Sequence, residues 1–270
     1  MSSSRVATLA AGPLALLLAA VSLGGLLSPA YARETPAWTA QAIGQDWFDL
    51  VMAVPWIAVS GWCARSGSYR WRVLLAGAYA YTVYEMLIYA FAVHFNALFL
   101  VYCATLGLAG FALAALAIEM RGSADVVGAR GAHFAGGWLI VVGAAFGIMW
   151  LAEDVPAMLC NTPSTTLVET GLFTNPVHVI DFAFVLPLHV VAGVWIWQRR
   201  KAGELLAPIV LAFGVLMSAS IAGMMIVMHV IGAEAAAPVA IAMLVVAAVS
   251  AGVLARVLLP RHATSHAAPT

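Results

Sequence analysis

Charge is what this sequence has least of. Of 270 residues, 12 are Lys or Arg and 12 are Asp or Glu, a charged fraction of 9% against 64% hydrophobic. Soluble domains carry roughly 25% charged residues, so this chain is not composed to be wrapped in water. Disorder is excluded too, since it needs low hydrophobicity and high charge. The formal net charge is zero, which leaves no extended field to hold nucleic acid. Lysine occurs once, as Lys201 in a short basic run, so no apolar stretch carries an amine for a retinal-type Schiff base.

Cysteine is equally sparse. Cys63, Cys103 and Cys160 lie far apart with no C-x-x-C spacing, which excludes metal ribbons, redox pairs and a disulfide framework. Cys63 and Cys103 sit in apolar runs, where cysteine acts as a small hydrophobe, while Cys160 falls in a stretch read as a polar loop. No H-E-x-x-H helix, G-x-S-x-G elbow, P-loop or desaturase-like histidine box occurs.

What the chain does have is long apolar runs. A helix needs roughly 20 apolar residues to cross a hydrocarbon core. Eight stretches qualify, at about 6–28, 47–64, 71–93, 97–119, 133–152, 177–197, 205–230 and 236–258. The expected fold class is an all-α integral membrane protein with about eight transmembrane helices. Eleven of the twelve basic residues fall on one side of this arrangement, and only Arg33 falls on the other. The positive-inside rule therefore puts both termini in the cytoplasm of a bacterial-type inner membrane. Glu34, Asp46, Glu153, Asp154, Glu169 and Glu234 map to the opposite face, and Trp38, Trp47, Trp62, Trp71, Trp150 and Trp197 sit near span ends as interfacial anchors. Ala30-Tyr31-Ala32 has the small-x-small pattern of a signal-peptidase site, but the preceding apolar run is longer than the 7–15 residues of a signal core. A retained first helix is expected.

Shifting the chain by 132 residues aligns 48–61 with 180–193, placing Asp49 on Asp181, Pro55 on Pro187 and Gly61 on Gly193. These rarer residues, not the apolar matches, suggest an internal duplication into two parallel four-helix halves, 1–128 and 129–270.

Ionisable groups inside the spans are the functional candidates, because the bilayer tolerates them only when they are paired, neutral or facing water. Glu85 is the sharpest. It lies well inside the third span with Tyr81 and Tyr89 at i−4 and i+4 on its face, and its cross-helix partner is expected to be His189 or Asp181. His189 lies mid-span, two residues after Pro187, placed either to bond a carbonyl or to relay protons. Asp49 and Asp181 are read as opening their helices on the outer side, with Asp46 and His178 three residues before them. They serve either as caps or as cation or proton sites. His94 and His229 end the third and seventh spans. Met217, Met224, Met225 and Met228 precede His229, in a pattern that fits packing filler better than copper. Only His189 is deep, so two-histidine haem ligation is not supported, and nothing assigns a metal or other cofactor.

The first functional expectation is a permease for a small solute or cation, proton-coupled through Glu85, with Tyr81, Tyr89, His94, His178 and His229 along the pathway. The second is a membrane-embedded enzyme with an Asp/His site at the outer leaflet. The third is a non-catalytic subunit of a membrane complex. The partners expected are the lipid bilayer and the solute, with a second copy of the chain or a membrane-complex partner left open.

Overall fold

The structure is a computed structural model that describes residues 3–121, 129–230 and 236–259. Eight helices are long and apolar enough to cross a membrane: α1 (Val6–Leu27), α2 (Pro36–Ala64), α3 (Tyr69–Ala92), α4 (Phe99–Met120), α5 (Gly131–Cys160), α6 (Pro176–Trp197), α7 (Lys201–Val230) and α8 (Ala236–Leu258). One short helix, Thr165–Thr170, lies between α5 and α6, and no strand occurs among the described residues. Helices satisfy their backbone groups internally, which is the condition for crossing hydrocarbon. Large apolar side chains such as Leu16, Phe91, Phe111 and Ile148 remain exposed on their outer faces, as a lipid-facing surface requires. Eight helices of this length and composition fit a multi-pass arrangement in a lipid bilayer. The expected half boundary at residue 128 and the acidic Glu234 lie outside the described residues.

Two helices are longer than their apolar runs. α2 begins at Pro36, eleven residues before the expected start at 47. Proline suits the first helical turn, and the Thr35 side chain accepts from the Trp38 backbone N–H at 3.3 Å, capping a start within polar sequence. α5 continues past 152 to Cys160, so that cysteine is the exposed last residue of a helix and not part of a loop. Asn161, at φ 51°, then closes the helix in the left-handed region that asparagine tolerates.

α1 packs against α2 and α4, α2 against α3, and α3 against α4. On the other side α5 packs against α6 and α8, α6 against α7, and α7 against α8. The two groups meet along α7, which lies on α2 and α3. α3 is the most enclosed span, with 67% of its apolar window buried against 56% for α7, the next highest. Polar groups on α3 are therefore screened from lipid on most sides.

α2 and α6 share a local irregularity. Each contains one π-helical turn, Asp49–Ala53 and Asp181–Val185, opened by the aspartate and followed by Pro55 or Pro187. Val54 N–H bonds to the Asp49 carbonyl and Leu186 N–H to the Asp181 carbonyl, five residues back. Proline cannot donate to the helical ladder and crowds the carbonyl four residues earlier. The wider turn accommodates that conflict, and such turns recur at functional sites.

Candidate functional site: a buried carboxyl cluster

The longer α2 changes the setting of the acidic residues. Asp46 and Asp49 lie about three turns inside the helix and are fully buried, so neither opens it. Asp181 does not cap α6 either, because Asn175 accepts from the backbone N–H groups of Val177 at 3.1 Å and His178 at 3.2 Å.

Around Asp46 and Asp49 the side chains form a connected network. Tyr31 donates to Asp46 Oδ2 at 2.7 Å, and Tyr89 donates to Asp46 Oδ1 at 3.1 Å. Tyr81 donates to Asp49 Oδ1 at 2.8 Å, Gln45 Nε2 reaches the same oxygen at 3.2 Å, and Ser22 Oγ lies 3.5 Å from Oδ2. Gln45 also bonds the Tyr81 hydroxyl and accepts from Ser220 on α7. Tyr31 stands between α1 and α2, outside the spans. Burial, reinforced by the adjacent Asp46, pushes its hydroxyl up from the usual tyrosine range, so it remains a donor. Gly25 makes that contact possible, since a Cβ there would meet Asp46 Oδ2 at 2.1 Å and the Tyr31 hydroxyl at 2.4 Å.

Glu85 adjoins this network at Asp49 and Gln45. It is buried at 4% exposure, and neither carboxyl oxygen makes a hydrogen bond of normal geometry. Its nearest polar neighbours are Asp49 and Gln45 on α2, and not the α6 residues His189 or Asp181. Tyr81 and Tyr89 share its helix face, as expected, but their hydroxyls reach across to the α2 aspartates. Glu85 lines a cavity of about 100 Å³ bounded by α2, α3, α6 and α7. Among the described residues, no Lys, Arg or His lines it. Trp38, buried at 8% exposure, lines the same cavity, and its Nε1 also lacks a partner.

A second cavity, of about 70 Å³, holds His189 and Asp181. The two cavities share a wall made of Tyr84, Val177, Met217 and Ile221. Adjacent helical positions point about 100° apart. Glu85 accordingly faces the first cavity, while Tyr84 turns its hydroxyl toward Asp181. Trp150 Nε1 donates to Asp181 Oδ2 at 2.8 Å. His189 Nδ1 lies 2.8 Å from the Val185 carbonyl, which fixes the ring and leaves Nε2 as its free nitrogen. His178 pairs with Asp154, with Nδ1 3.0 Å from both carboxylate oxygens, and stacks on Trp150 at 4.3 Å. It does not converge with Asp181 on a common cation.

The remaining histidines are peripheral. His94 is exposed and holds the segment before α2 to the end of α3, its backbone N–H donating to Glu34 Oε1 at 2.7 Å and Nδ1 lying 3.0 Å from Oε2. His229 is exposed in the last turn of α7. Among the described residues, no group of three or more His, Cys, Asp or Glu is arranged to hold a metal ion.

Sequence reasoning missed Gln45, Tyr31, Trp38 and Tyr84. Gln45 carried a signal, an amide four residues before Asp49 and hence on its face. Trp38 passed for an interfacial anchor and Tyr31 for part of a cleavage motif. Comparisons with protein families, curated proteins and solved structures return no match, so the cluster is interpreted from its own geometry.

Proposed function

We propose that the protein is a permease for a small solute or cation, coupled to protons through Glu85, in a bacterial-type cytoplasmic membrane. The observation that carries this reading is the buried Glu85 carboxyl, set beside Asp49 on a cavity where the two helix groups meet. A buried carboxyl with no basic neighbour needs a proton or a cation to be tolerated. A group that must exchange one for the other is the element that proton coupling requires. Asp46 and Asp49 lie beside it, held in place by the Tyr hydroxyls and Gln45. The test is a panel of small amines, inorganic cations and neutral solutes applied to proteoliposomes, recorded as charge movement and internal pH change. A flux that Glu85→Gln leaves unchanged sinks the reading in favour of an enzyme or a complex subunit.

The two helix groups are proposed to be a duplicated unit. The matching π-helical turns support this, as does the pair Gly61 and Gly193, each of which packs on the first helix of its own group, at Ala11 and Gly136. Superposing α2–α4 on α6–α8 should bring Asp49 over Asp181; aspartates that then point in unrelated directions count against duplication.

The basic asymmetry supports a cytoplasmic position for both termini, with α1 part of the working protein. Ser22 and Tyr31 bond the α2 aspartates, and Tyr79 donates to the Ala7 carbonyl at 2.8 Å. Loss of residues 1–32 would strip those partners. Reporter fusions after Thr270 and within the 162–169 segment are expected to report opposite compartments, and the intact mass of the purified protein to include α1. A mass that begins at Arg33 refutes the eight-span form.

A further inference from the structure

The second cavity joins two titratable groups on α6 that the Glu85 reading leaves unused, Asp181 and His189. An α-helix turns about 100° per residue, so residues eight apart would stand about 80° apart around it. The π-helical turn at Asp181–Val185 takes up one residue between them and brings them to about 20° of each other. One helix face thus turns both side chains to the same cavity. His189 Nδ1, 2.8 Å from the Val185 carbonyl, is the protonated nitrogen, because a carbonyl only accepts. Nε2 of the neutral ring is then an acceptor. Its direction is set by α7. Outside the backbone of that helix, Nε2 is the one heavy atom among the described residues within 4 Å of a Cβ built on Gly214, at 3.9 Å. Gly214 lines the cavity, so the missing side chain leaves open space in front of the ring. Phe213 meets the ring edge-on at 6.2 Å, and Gly143 of α5 lets it pack close, since a Cβ there would stand 3.1 Å from the His189 Cβ. The residue 132 positions before His189 is Ile57, which is fully buried, so the first helix group carries no counterpart.

We infer that this cavity holds a file of water molecules that carries protons from Asp181 to His189, making His189 a second proton site. The inference rests on the permease reading for the use of the proton, and on the cavity alone for its path. A water needs about 10–15 Å³ of cavity and two to four polar partners, so about 70 Å³ has room for about five. The gap to be crossed is smaller. Seven helical rises separate the two groups by roughly 11 Å, which about three waters at hydrogen-bond spacing span. Ser218 and Ser250 add hydroxyls to the lining as further partners. Bulk water reaches a crevice of about 500 Å³ lined by Asp154 and His178, about one helical turn before Asp181. In the transfer, the Asp181 carboxyl gives its proton to the first water as the last water gives one to His189 Nε2. Asp181 is left a carboxylate and His189 an imidazolium, its Nδ1–H still on the Val185 carbonyl. Each water ends with two hydrogens, and a proton from the crevice restores Asp181. The titratable groups on the lining are Tyr84, Asp181 and His189, and among the described residues α5, α7 and α8 contribute none. His178 and Asp154 stand beyond Asp181 on the crevice side.

Nuclear magnetic resonance on the purified full-length protein in detergent, labelled at histidine nitrogen, tests this. The His189 signals are identified by their loss in His189→Gln. In the wild type, Nε2 should show the shift of an unprotonated acceptor at alkaline pH and convert to imidazolium as the pH falls. A through-space cross-peak should join water to the ring protons beside Nε2. Gly214→Ala sets a methyl in front of Nε2 at ordinary contact distance. That change should remove the water cross-peak and slow interchange between the two ring forms by at least about tenfold, with no loss of thermal stability. Asp181→Asn keeps an acceptor for Trp150 Nε1 but cannot pass a proton on, and should slow the same interchange by at least about tenfold. A wild-type ring with no water cross-peak, or an interchange rate that Asp181→Asn leaves unchanged, overturns the inference. If the ring is dry but proteoliposomes carry a solute in a Glu85-dependent way, the inference fails and the permease reading stands. If His189 loads through Asp181 but no solute crosses, the proton site stands and the permease reading fails.

Discussion

Glu85→Gln is expected to abolish solute-driven proton movement while the protein still inserts and folds. Glutamine preserves the size of the side chain and its ability to hydrogen-bond but cannot ionise, so the substitution isolates charge. The neighbours of Glu85 across the helix interface are Asp49 and Gln45, and an amide can bond either, so the network is kept by the change. The amide needs no proton to be tolerated beside the buried Asp49, and thermal stability in detergent should hold. Transport should fall by at least about tenfold, equivalent to about 1.4 kcal/mol. Asp49→Asn provides the contrast. Asp49 accepts from Tyr81, Gln45 and Ser22, and an amide oxygen can still accept from some of them, so the cost there falls on stability as well as flux. Proton movement in pH-dye-loaded proteoliposomes, alongside a melting curve for each variant, separates the two effects. A Glu85→Gln protein that melts early and also loses flux would assign Glu85 a packing role.

The helices were legible because bilayer physics leaves few options: a run of about 20 apolar residues has almost no other use. The ends were not. Residues 36–46 include Thr39, Gln41, Gln45 and Asp46 and read as an outer polar segment, yet they are the first three turns of α2, lined up against α7 and Tyr31. Hydropathy measures contact with lipid, and it cannot see a polar turn that is buried against protein. The same limit governs the site. Glu85 could be found as an acid inside an apolar run, but its neighbour Asp49 is set by how α2 and α3 pack. Tyr84 and Trp38 are ordinary residues in sequence, and only the packing makes one a wall between cavities and the other an unpartnered donor.

The seam between the two helix groups should be a fragile part of the molecule, and Gly44 is one of its tightest points. A Cβ at Gly44 would stand 2.6 Å from the Met224 Cα, and 3.3 Å from its backbone nitrogen. Those are main-chain atoms, so no rotamer change relieves the clash, and α2 and α7 must separate. Gly44→Ala is expected to destabilise by about 1–3 kcal/mol, the usual cost of overpacking a tight interface. The neighbouring Gln45–Ser220 bond joins the same two helices, and Gln45 and Met224 both line the Glu85 cavity. Separation of α2 from α7 should therefore weaken solute recognition together with stability. Gly110 on α4 provides the control, because a Cβ there meets nothing within 4 Å. Gly110→Ala should be neutral or gain up to about 1 kcal/mol from lower backbone freedom in the unfolded chain. Melting curves of the two variants in one detergent, with solute flux measured on each, provide the comparison. A Gly44→Ala protein as stable and active as the wild type would mean that α2 and α7 do not approach this closely, and with that the cavity between them would lose its walls.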